Sequence, residues 1–306
     1  MGDEVTASRE RRAHLRADGA LALLTVFWGT TFLVVKDALG HADPFSFLVL
    51  RFGLGAVVLS AVAGRRLFSR ETLRRGALLS LVLFSGYLFQ TVGLTRTSPA
   101  RSAFITGLCV LFVPLLSLVL FRQVPRIPSL VGVVLSAVGL YFLTQGGADA
   151  RGAFSWGDLL TLVGSLSYAL HIVLTGRFAP AEGARALVAV QLWGVALLSA
   201  ACLPFVETRV AWTGAFVGAV VYCGVFGSAI AISVQTWAQA RTGAVRAALI
   251  YAMEPVFTAL FSVSLGYETL GPREWSGGSL IVLGVVVSEV GSALWDRWRE
   301  RPLAGA

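Results

Sequence analysis

Charged residues are scarce in this sequence. They make up 14% of its 306 residues, whereas hydrophobic residues make up 56%, and the mean hydropathy is +0.75. A soluble domain usually carries about 25% charged residues. The chain therefore has too little polar surface to cover a water-facing body, which excludes an ordinary soluble protein and favours one embedded in a lipid bilayer.

The motifs of common enzymes and metal sites are also missing. The sequence has no HExxH zinc motif, no GxSxG nucleophile motif and no Walker A loop. Its three cysteines, Cys109, Cys202 and Cys223, lie in apolar segments without metal or redox spacing. The net charge of +8 comes from dispersed arginines and forms no basic patch, so it does not indicate nucleic-acid binding. We predict no catalytic residue, no cofactor and no metal, and an intramembrane enzyme is the least favoured alternative.

Apolar runs of about 20 residues recur from Gly19 almost to the end of the chain, which is the length that a helix needs to cross a bilayer. In lipid, only helices and closed barrels satisfy their backbone hydrogen bonds, and continuous apolar runs are typical of helices. The sequence therefore predicts an all-α integral membrane protein with ten transmembrane helices. The predicted spans are 19–36, 44–63, 76–94, 100–121, 128–144, 155–175, 184–205, 212–234, 243–266 and 272–295.

The distribution of positive charge predicts the orientation. If the N-terminus is cytoplasmic, eighteen of the 25 Lys and Arg residues fall on the inner side and six on the outer side. Short cytoplasmic segments carry the excess of Lys and Arg in membrane proteins. We expect a multi-pass protein of the plasma (inner) membrane whose terminal segments, 1–18 and 296–306, are both cytoplasmic. The polar N-terminus shows no cleavage site, so the first apolar run is interpreted as a retained helix.

The sequence contains an internal repeat. Shifted by 145 residues, Gln90 aligns with Gln235 and Arg101 with Arg246. The first two spans align with a shift near 140, where Asp18 meets Asp158. We predict two five-helix repeats, 19–145 and 154–295. Because each holds an odd number of spans, the second is inverted relative to the first, an arrangement that recurs in secondary transporters.

Several short motifs carry a family resemblance. They are Trp28-Gly29, Ala103 to Leu108, Val113-Pro114, Arg241-Thr242, Arg246 to Ile250, Glu254-Pro255 and Gly266-Tyr267-Glu268. On these motifs the whole chain resembles the drug/metabolite transporter (DMT) superfamily, EamA-type. The resemblance implies two EamA-like repeats, a central cavity and transport of small metabolites or drugs, often by efflux. The position after the fourth span, commonly glutamate in the family, is Gln123 here.

Polar and aromatic residues lie at helical spacing in several spans. Tyr251 and Glu254 share one face of the ninth span, as Trp28 and Thr31 do in the first. Lipid would penalise such faces, so we expect them to line a shared cavity, although polar side chains also join helices to each other in membranes. The candidate substrate-binding residues are Trp28, Thr31, Gln90, Thr106, Tyr168, His171, Gln235, Tyr251 and Glu254.

Glu254 and Arg51 are the two charged residues deepest within the predicted spans. An intramembrane carboxylate is costly and usually functional, so Glu254 is expected to bind a cationic group of the substrate or to take up a proton. Arg51 is a candidate for coupling, for attracting an anion or for pairing with Glu254, and it could also extend to the membrane surface. Residue types of this kind suit amino acids or drug-like amines.

Prolines interrupt the fourth and ninth spans, at Pro114 and Pro255. Each removes a backbone hydrogen bond, and interrupted helices at matching positions often form the substrate site of a transporter. We therefore predict helix breaks at both prolines, with packing kinks as the alternative. Together, the sequence features predict a secondary exporter of small solutes, proton-coupled or else an uncoupled, channel-like facilitator. They leave the substrate, the coupling ion and the oligomeric state open.

Overall fold

The structure of the protein is a computed structural model that describes residues 2–64, 69–144, 155–179, 183–267, 269 and 271–299. Within these ranges, nine helical segments are long and apolar enough to cross a bilayer, and a shorter apolar helix, Ile127–Phe142, supplies a tenth span. The described residues form no strand beyond one isolated bridge, between Ala42 and Val210. The predicted all-α membrane fold is confirmed.

The first half of the chain forms five spans. Their helices are α1 (Gly2–Ala38), α2 (Pro44–Ala63), α3 (Arg70–Leu94), α4 (Pro99–Gly107) with α5 (Cys109–Phe121), and α6 (Ile127–Thr144). Helix α1 begins much earlier than the predicted span, because the arginine-, glutamate- and alanine-rich segment before Gly19 consists mostly of good helix formers. The predicted N-terminal tail is therefore an extension of the first helix.

The second half repeats this order. Its helices are α7 (Trp156–Phe178), α8 (Ala184–Cys202), α9 (Gly214–Val221), a π-helical segment (Tyr222–Ile230), α10 (Ala231–Thr242), α11 (Ala244–Tyr251), α12 (Glu254–Ser264) and α13 (Pro272–Arg299). The eighth span, α9 to α10, continues eight residues beyond its predicted end. A π-helical turn often occurs at a functional site, and this one lies within the eighth span.

The fourth and ninth spans are interrupted at equivalent positions. The first break falls at Leu108, between α4 and α5, and the second at Ala252 and Met253, between α11 and α12. In the 145-residue register, Leu108 corresponds to Met253. A Cβ atom on Gly107 would come within 2.9 Å of Pro255 Cγ, so the two breaks pack against each other and require a glycine there.

Pro114 differs from its prediction as a helix break. Helix α5 continues through it, and the interruption lies six residues earlier. The missing N–H of one proline removes a single backbone bond, which a packed transmembrane helix tolerates. Pro255 instead occupies the first turn of α12, where its missing N–H has no helical partner to lose. The predicted break therefore agrees with the structure at Pro255 and is wrong at Pro114.

The two repeats exchange their first helices. Helix α1 packs mainly against α10, α11 and α12 of the second repeat, and α7 packs mainly against α3, α4 and α5 of the first. Two ion pairs join these partners: Arg101 Nη2 lies 2.8 Å from Asp158 Oδ2, and Arg246 Nη2 lies 2.7 Å from Asp18 Oδ2. The repeat register aligns Asp18 with Asp158 and Arg101 with Arg246, so the two ion pairs are equivalent. We call α1 with α10, α11 and α12 the α1-containing bundle, and α7 with α3, α4 and α5 the α7-containing bundle.

The connection between α1 and α2 is tied to the connection before α9. Asp43 caps α2 by accepting hydrogen bonds from the N–H groups of Phe45 and Ser46, both at 3.0 Å, and its second oxygen accepts one from Arg209 N at 2.9 Å. Burial alone would raise the pKa of the Asp43 carboxyl, but the hydrogen bonds from Ser46, Arg209 and Phe45 outweigh burial, so this pKa lies below its ordinary value. Asp43 is therefore ionised near neutral pH, and its carboxylate holds the two connections together at this end of the helix bundle.

Candidate functional site

A cavity lies between the two bundles. It contains about 730 Å³ of empty space, counting the solvent that enters it. Small-molecule sites are concave and are lined mainly by apolar and aromatic side chains with a few polar groups, and the walls of this cavity have that composition. Its walls are lined by Trp28, Thr31, Phe32, Val35, Arg51, Leu83, Tyr87, Gln90, Thr91, Leu94, Thr106, Cys109, Tyr168, His171, Ile172, Gln235, Tyr251 and Glu254.

All nine candidate substrate-binding residues from the sequence lie in this wall, and so does Arg51. Pro114 and Pro255 do not line it, although Pro255 follows Glu254 directly in α12. The structure therefore brings together the first, second, third, fourth, sixth, eighth and ninth spans around one space. Glu268 of the family resemblance lies outside the described residues.

Aromatic side chains shape one side of the cavity. The ring centroids of Trp28 and Tyr251 are 5.3 Å apart in an edge-to-face arrangement. Trp28 Nε1 donates a hydrogen bond of 3.2 Å to the carbonyl oxygen of Gly227, which lies in the π-helical segment. This bond satisfies the polar end of a partly buried indole. The π-helical segment thus helps to orient an aromatic wall residue.

A hydrogen-bond network joins other residues of the cavity wall. Tyr168 Oη donates to Gln90 Oε1 at 2.9 Å, and Gln90 Nε2 donates to Thr106 Oγ1 at 3.0 Å. Ser165 Oγ donates to the backbone oxygen of Thr106 at 2.9 Å. These bonds join α3, α4 and α7 within one bundle. Gln90 and Thr106 therefore both line the cavity and hold helices together, so the two functions expected from the sequence coexist. Gln235, the repeat equivalent of Gln90, is 4% exposed.

His171 is fixed by neighbours within the protein. Its Nε2 lies 2.7 Å from Gln191 Oε1 and 3.5 Å from Thr175 Oγ1, and the side chain is 1% exposed. Gln191 is the repeat equivalent of Arg51. The histidine touches the cavity but already has a hydrogen-bond partner, so we interpret it as a wall residue rather than a proton carrier.

Glu254 lies at the first position of α12, directly after the break in the ninth span. Its carboxylate faces the cavity, and among the described residues no hydrogen bond or ion pair engages it. The N-terminus of a helix carries a partial positive charge that favours an anion. The site therefore places a carboxylate at a helix terminus beside open space, where the ionised carboxylate can bind a cation or a proton.

Arg51 lies in the same wall, 3% exposed, and does not extend to the membrane surface. Its Cζ atom is 5.1 Å from the ring centroid of Phe52 and 4.8 Å from that of Tyr87. No salt bridge joins Arg51 to Glu254, although both are described. The cavity wall thus contains one basic and one acidic side chain that form no direct ion pair.

Tyr87 is a wall residue that the sequence interpretation missed. Its ring contacts both Phe52, at a centroid distance of 4.6 Å, and Tyr168, at 5.3 Å. Tyr87 precedes Gln90 by three residues, so the two share a helical face. That spacing was a usable signal, because Gln90 was already a candidate. The apolar wall residues, by contrast, carry no signal that distinguishes them from lipid-facing ones.

The two ends of the cavity differ. At the end of α1 near Ala38, Lys36 Nζ donates hydrogen bonds to the backbone oxygens of Leu94, at 2.7 Å, and Thr97, at 2.9 Å. This lysine bridges the two bundles next to the cavity residue Leu94. The opposite end is filled by a buried apolar cluster that includes Leu21, Val173 and Ala247. Within the described residues, the cavity therefore ends at this cluster.

The comparisons with known proteins agree with this architecture. The EamA-like transporter family matches residues 15–145 and 155–289. An uncharacterized transporter of Archaeoglobus fulgidus is 31% identical over 274 residues, which cover 89% of this chain and 85% of the relative. The uncharacterized inner membrane transporter YedA of Escherichia coli (strain K12) is 29% identical over 286 residues, covering 90% of this chain and 92% of the relative. A crystal structure of a protein with 24% identity has a TM-score of 0.74 and covers 95% of this chain and 99% of that chain, which shows a common fold. This chain is thus a multi-pass membrane transporter and belongs to the EamA-like transporter family.

Proposed function

We propose that the protein is a secondary transporter that exports small amine-bearing metabolites, amino acids or drug-like amines through the central cavity in exchange for protons. The observation that carries this proposal is Glu254, a cavity-facing carboxylate at a helix break with no partner among the described residues. Carboxylates in membrane interiors mark substrate and proton pathways. The aromatic wall around it adds faces that attract ammonium groups.

A single carboxylate can couple two cations when they compete for it. If Glu254 binds either a proton or the ammonium group of the solute, each cation displaces the other. An inward proton gradient then drives the solute outward, because protons that enter from outside load the site after the solute has left. This competition requires no second titrating residue, which fits the hydrogen-bonded state of His171.

The inverted repeat supports alternating exposure of the cavity. We place both termini in the cytoplasm, on the basis of the eighteen-to-six distribution of Lys and Arg. In that orientation the apolar cluster closes the cytoplasmic end, and Lys36 lies over the outer end. The α1-containing and α7-containing bundles are the units that would rock against each other. We place the protein in the plasma (inner) membrane, and the name of the relative YedA, an inner membrane transporter, supports this proposal.

Blocking the cavity is expected to stop transport. Thr106 is 7% exposed and lines the cavity, so Thr106→Trp fills the space with an indole. Uptake of labelled amines and amino acids into proteoliposomes should be saturable for the wild type and fall at least about tenfold in this variant, which corresponds to about 1.4 kcal/mol.

Thr95→Trp is the matched control, because Thr95 is exposed at the end of α3. It should transport like the wild type, and both variants should elute as folded protein from size-exclusion chromatography. Equal flux through folded Thr106→Trp would place the pathway elsewhere. Flux by neither the wild type nor the control, for any solute of the panel, would oppose the transporter proposal.

A further inference from the structure

Arg51 is a buried charge whose function the amine site leaves unexplained. It lies in α2, and its side chain is 3% exposed. A guanidinium inside a membrane protein is costly and normally has an anionic partner. Arg51 has no carboxylate within the described residues that could serve, since Glu254 forms no ion pair with it.

The neighbours of Arg51 hold it in one orientation. Its Nε donates to Ser228 Oγ at 2.9 Å, and Ser228 Oγ donates to the carbonyl oxygen of Cys223, also at 2.9 Å. The second bond spans five residues, and both residues lie in the π-helical segment. The rings of Phe52 and Tyr87 pack against the guanidinium. The side chain is therefore positioned by the protein before any ligand arrives.

This arrangement leaves the two terminal nitrogens of Arg51 available. Among the described residues, the bond from Nε to Ser228 is the one hydrogen bond that its guanidinium forms. Arg51 also lines the cavity. A guanidinium presents a planar pair of N–H donors that matches the two oxygens of a carboxylate. The geometry of the wall thus supplies a fork for an anionic group of a bound solute.

The opposite charges of the cavity indicate the ligand class. An amine bound at Glu254 would leave the charge of Arg51 buried and uncompensated, which is unfavourable. A solute that carries both an ammonium and a carboxylate compensates both charges in one binding event. We propose that Arg51, positioned by Ser228 and the π-helical segment, is the carboxylate subsite of the transport cavity, so that the preferred substrates are zwitterions. This inference rests on the proposed function, which assigns the ammonium to Glu254.

The test compares solutes that differ by one charged group. The probes are leucine and phenylalanine, isoamylamine and phenethylamine, which lack the carboxylate, and 4-methylpentanoate and 3-phenylpropanoate, which lack the amine. Equilibrium dialysis with the full-length protein in detergent gives each dissociation constant. We expect each amino acid to bind the wild type at least about tenfold more tightly than the corresponding amine. A tenfold difference in affinity corresponds to about 1.4 kcal/mol of binding free energy, which we assign to the contact between the carboxylate and Arg51.

Variants of the subsite distinguish the effect of the positive charge of Arg51 from the effect of its fixed orientation. Arg51→Gln should reduce the ratio of amino acid affinity to amine affinity to about one, and Arg51→Lys should restore part of this ratio. Ser228→Ala keeps the charge but frees Nε, so it should lower the ratio several-fold even if Arg51→Gln fails to fold. Ser233→Ala is the control. Among the described residues, Ser233 Oγ donates one hydrogen bond, to Ala229 O in the same span, so the affinity ratio of this variant should equal that of the wild type.

Two results would overturn the inference: a wild-type protein that binds the amines as tightly as the amino acids, or a ratio that neither Arg51→Gln nor Ser228→Ala changes. The proposed function fails differently. If Glu254→Gln binds the amines as the wild type does, the ammonium site is wrong, whereas a preserved dependence on Arg51 keeps the carboxylate subsite. If amine binding depends on Glu254 but the ratio of amino acid affinity to amine affinity does not change when Arg51 is replaced, only the carboxylate subsite is rejected.

Discussion

Glu254→Gln is expected to weaken the binding of a cationic solute by roughly 10- to 100-fold and to abolish the pH dependence of that binding. The substitution keeps the shape of the side chain and removes its negative charge. A hydrogen bond to a charged group contributes about 1.5–3 kcal/mol, which sets the range. Equilibrium dialysis of phenethylamine against the purified protein measures both effects.

The sign of the pH dependence follows from competition. As pH falls, protons occupy the Glu254 carboxylate, so the affinity of the wild type for phenethylamine should decrease. The amine itself stays protonated across the neutral and acidic range, and the affinity of Glu254→Gln should stay flat. Glu207→Gln is the matched control, because Glu207 is exposed outside the spans, and it should behave as the wild type does. A pH profile that persists in folded Glu254→Gln would assign the titration to another group.

Gly284→Leu is expected to destabilise the fold strongly and to lower its thermal unfolding midpoint. Helices α6 and α13 form the most extensive helix pair of the structure. A Cβ atom on Gly284 would lie 2.7 Å from the backbone oxygen of Gly132, and one on Gly139 would lie 2.6 Å from that of Gly277. Such contacts are impossible without separating the helices, and small residues of this kind permit the close approach of membrane helices.

The expected cost of Gly284→Leu is at least about 1–3 kcal/mol from overpacking alone, and the lost contacts between α6 and α13 add to it. The measurement is the thermal unfolding midpoint in detergent, together with the yield of monodisperse protein. Gly218→Leu is the control, because a Cβ atom there would meet nothing within 4 Å, and we expect a midpoint near that of the wild type. A normal midpoint for Gly284→Leu would show that the two helices can separate without cost.

The architecture could be predicted because it depends on coarse properties of the sequence. Runs of about 20 apolar residues specify transmembrane helices, and the register between the halves specifies the inverted repeat. The ends of the helices were harder to predict than their number. Helix α1 extends through the polar N-terminus because helix formation continues beyond the bilayer, and the break in the fourth span depends on contact between Gly107 and Pro255, which only the folded chain brings together.

The cavity could be predicted largely from helical spacing. Trp28, Tyr168 and Tyr251 lie on faces that lipid would penalise, and the structure places all three in one wall. The position of Arg51 could not be predicted, because its anchor Ser228 belongs to a π-helical segment that no simple periodicity reveals. The exchange of the first helices between the repeats could not be predicted either, although the repeat register already aligned the residues of the two ion pairs.

The most direct test of the central claim is solute accumulation driven by a pH gradient in proteoliposomes that contain the wild-type protein. We predict that leucine accumulates above its external concentration in an acidic lumen, which supplies the protons for the exchange, and that Glu254→Gln loses this accumulation. Transport that only equilibrates the solute, with the same rate with or without the gradient and in both proteins, would contradict proton exchange at Glu254 and identify an uncoupled facilitator.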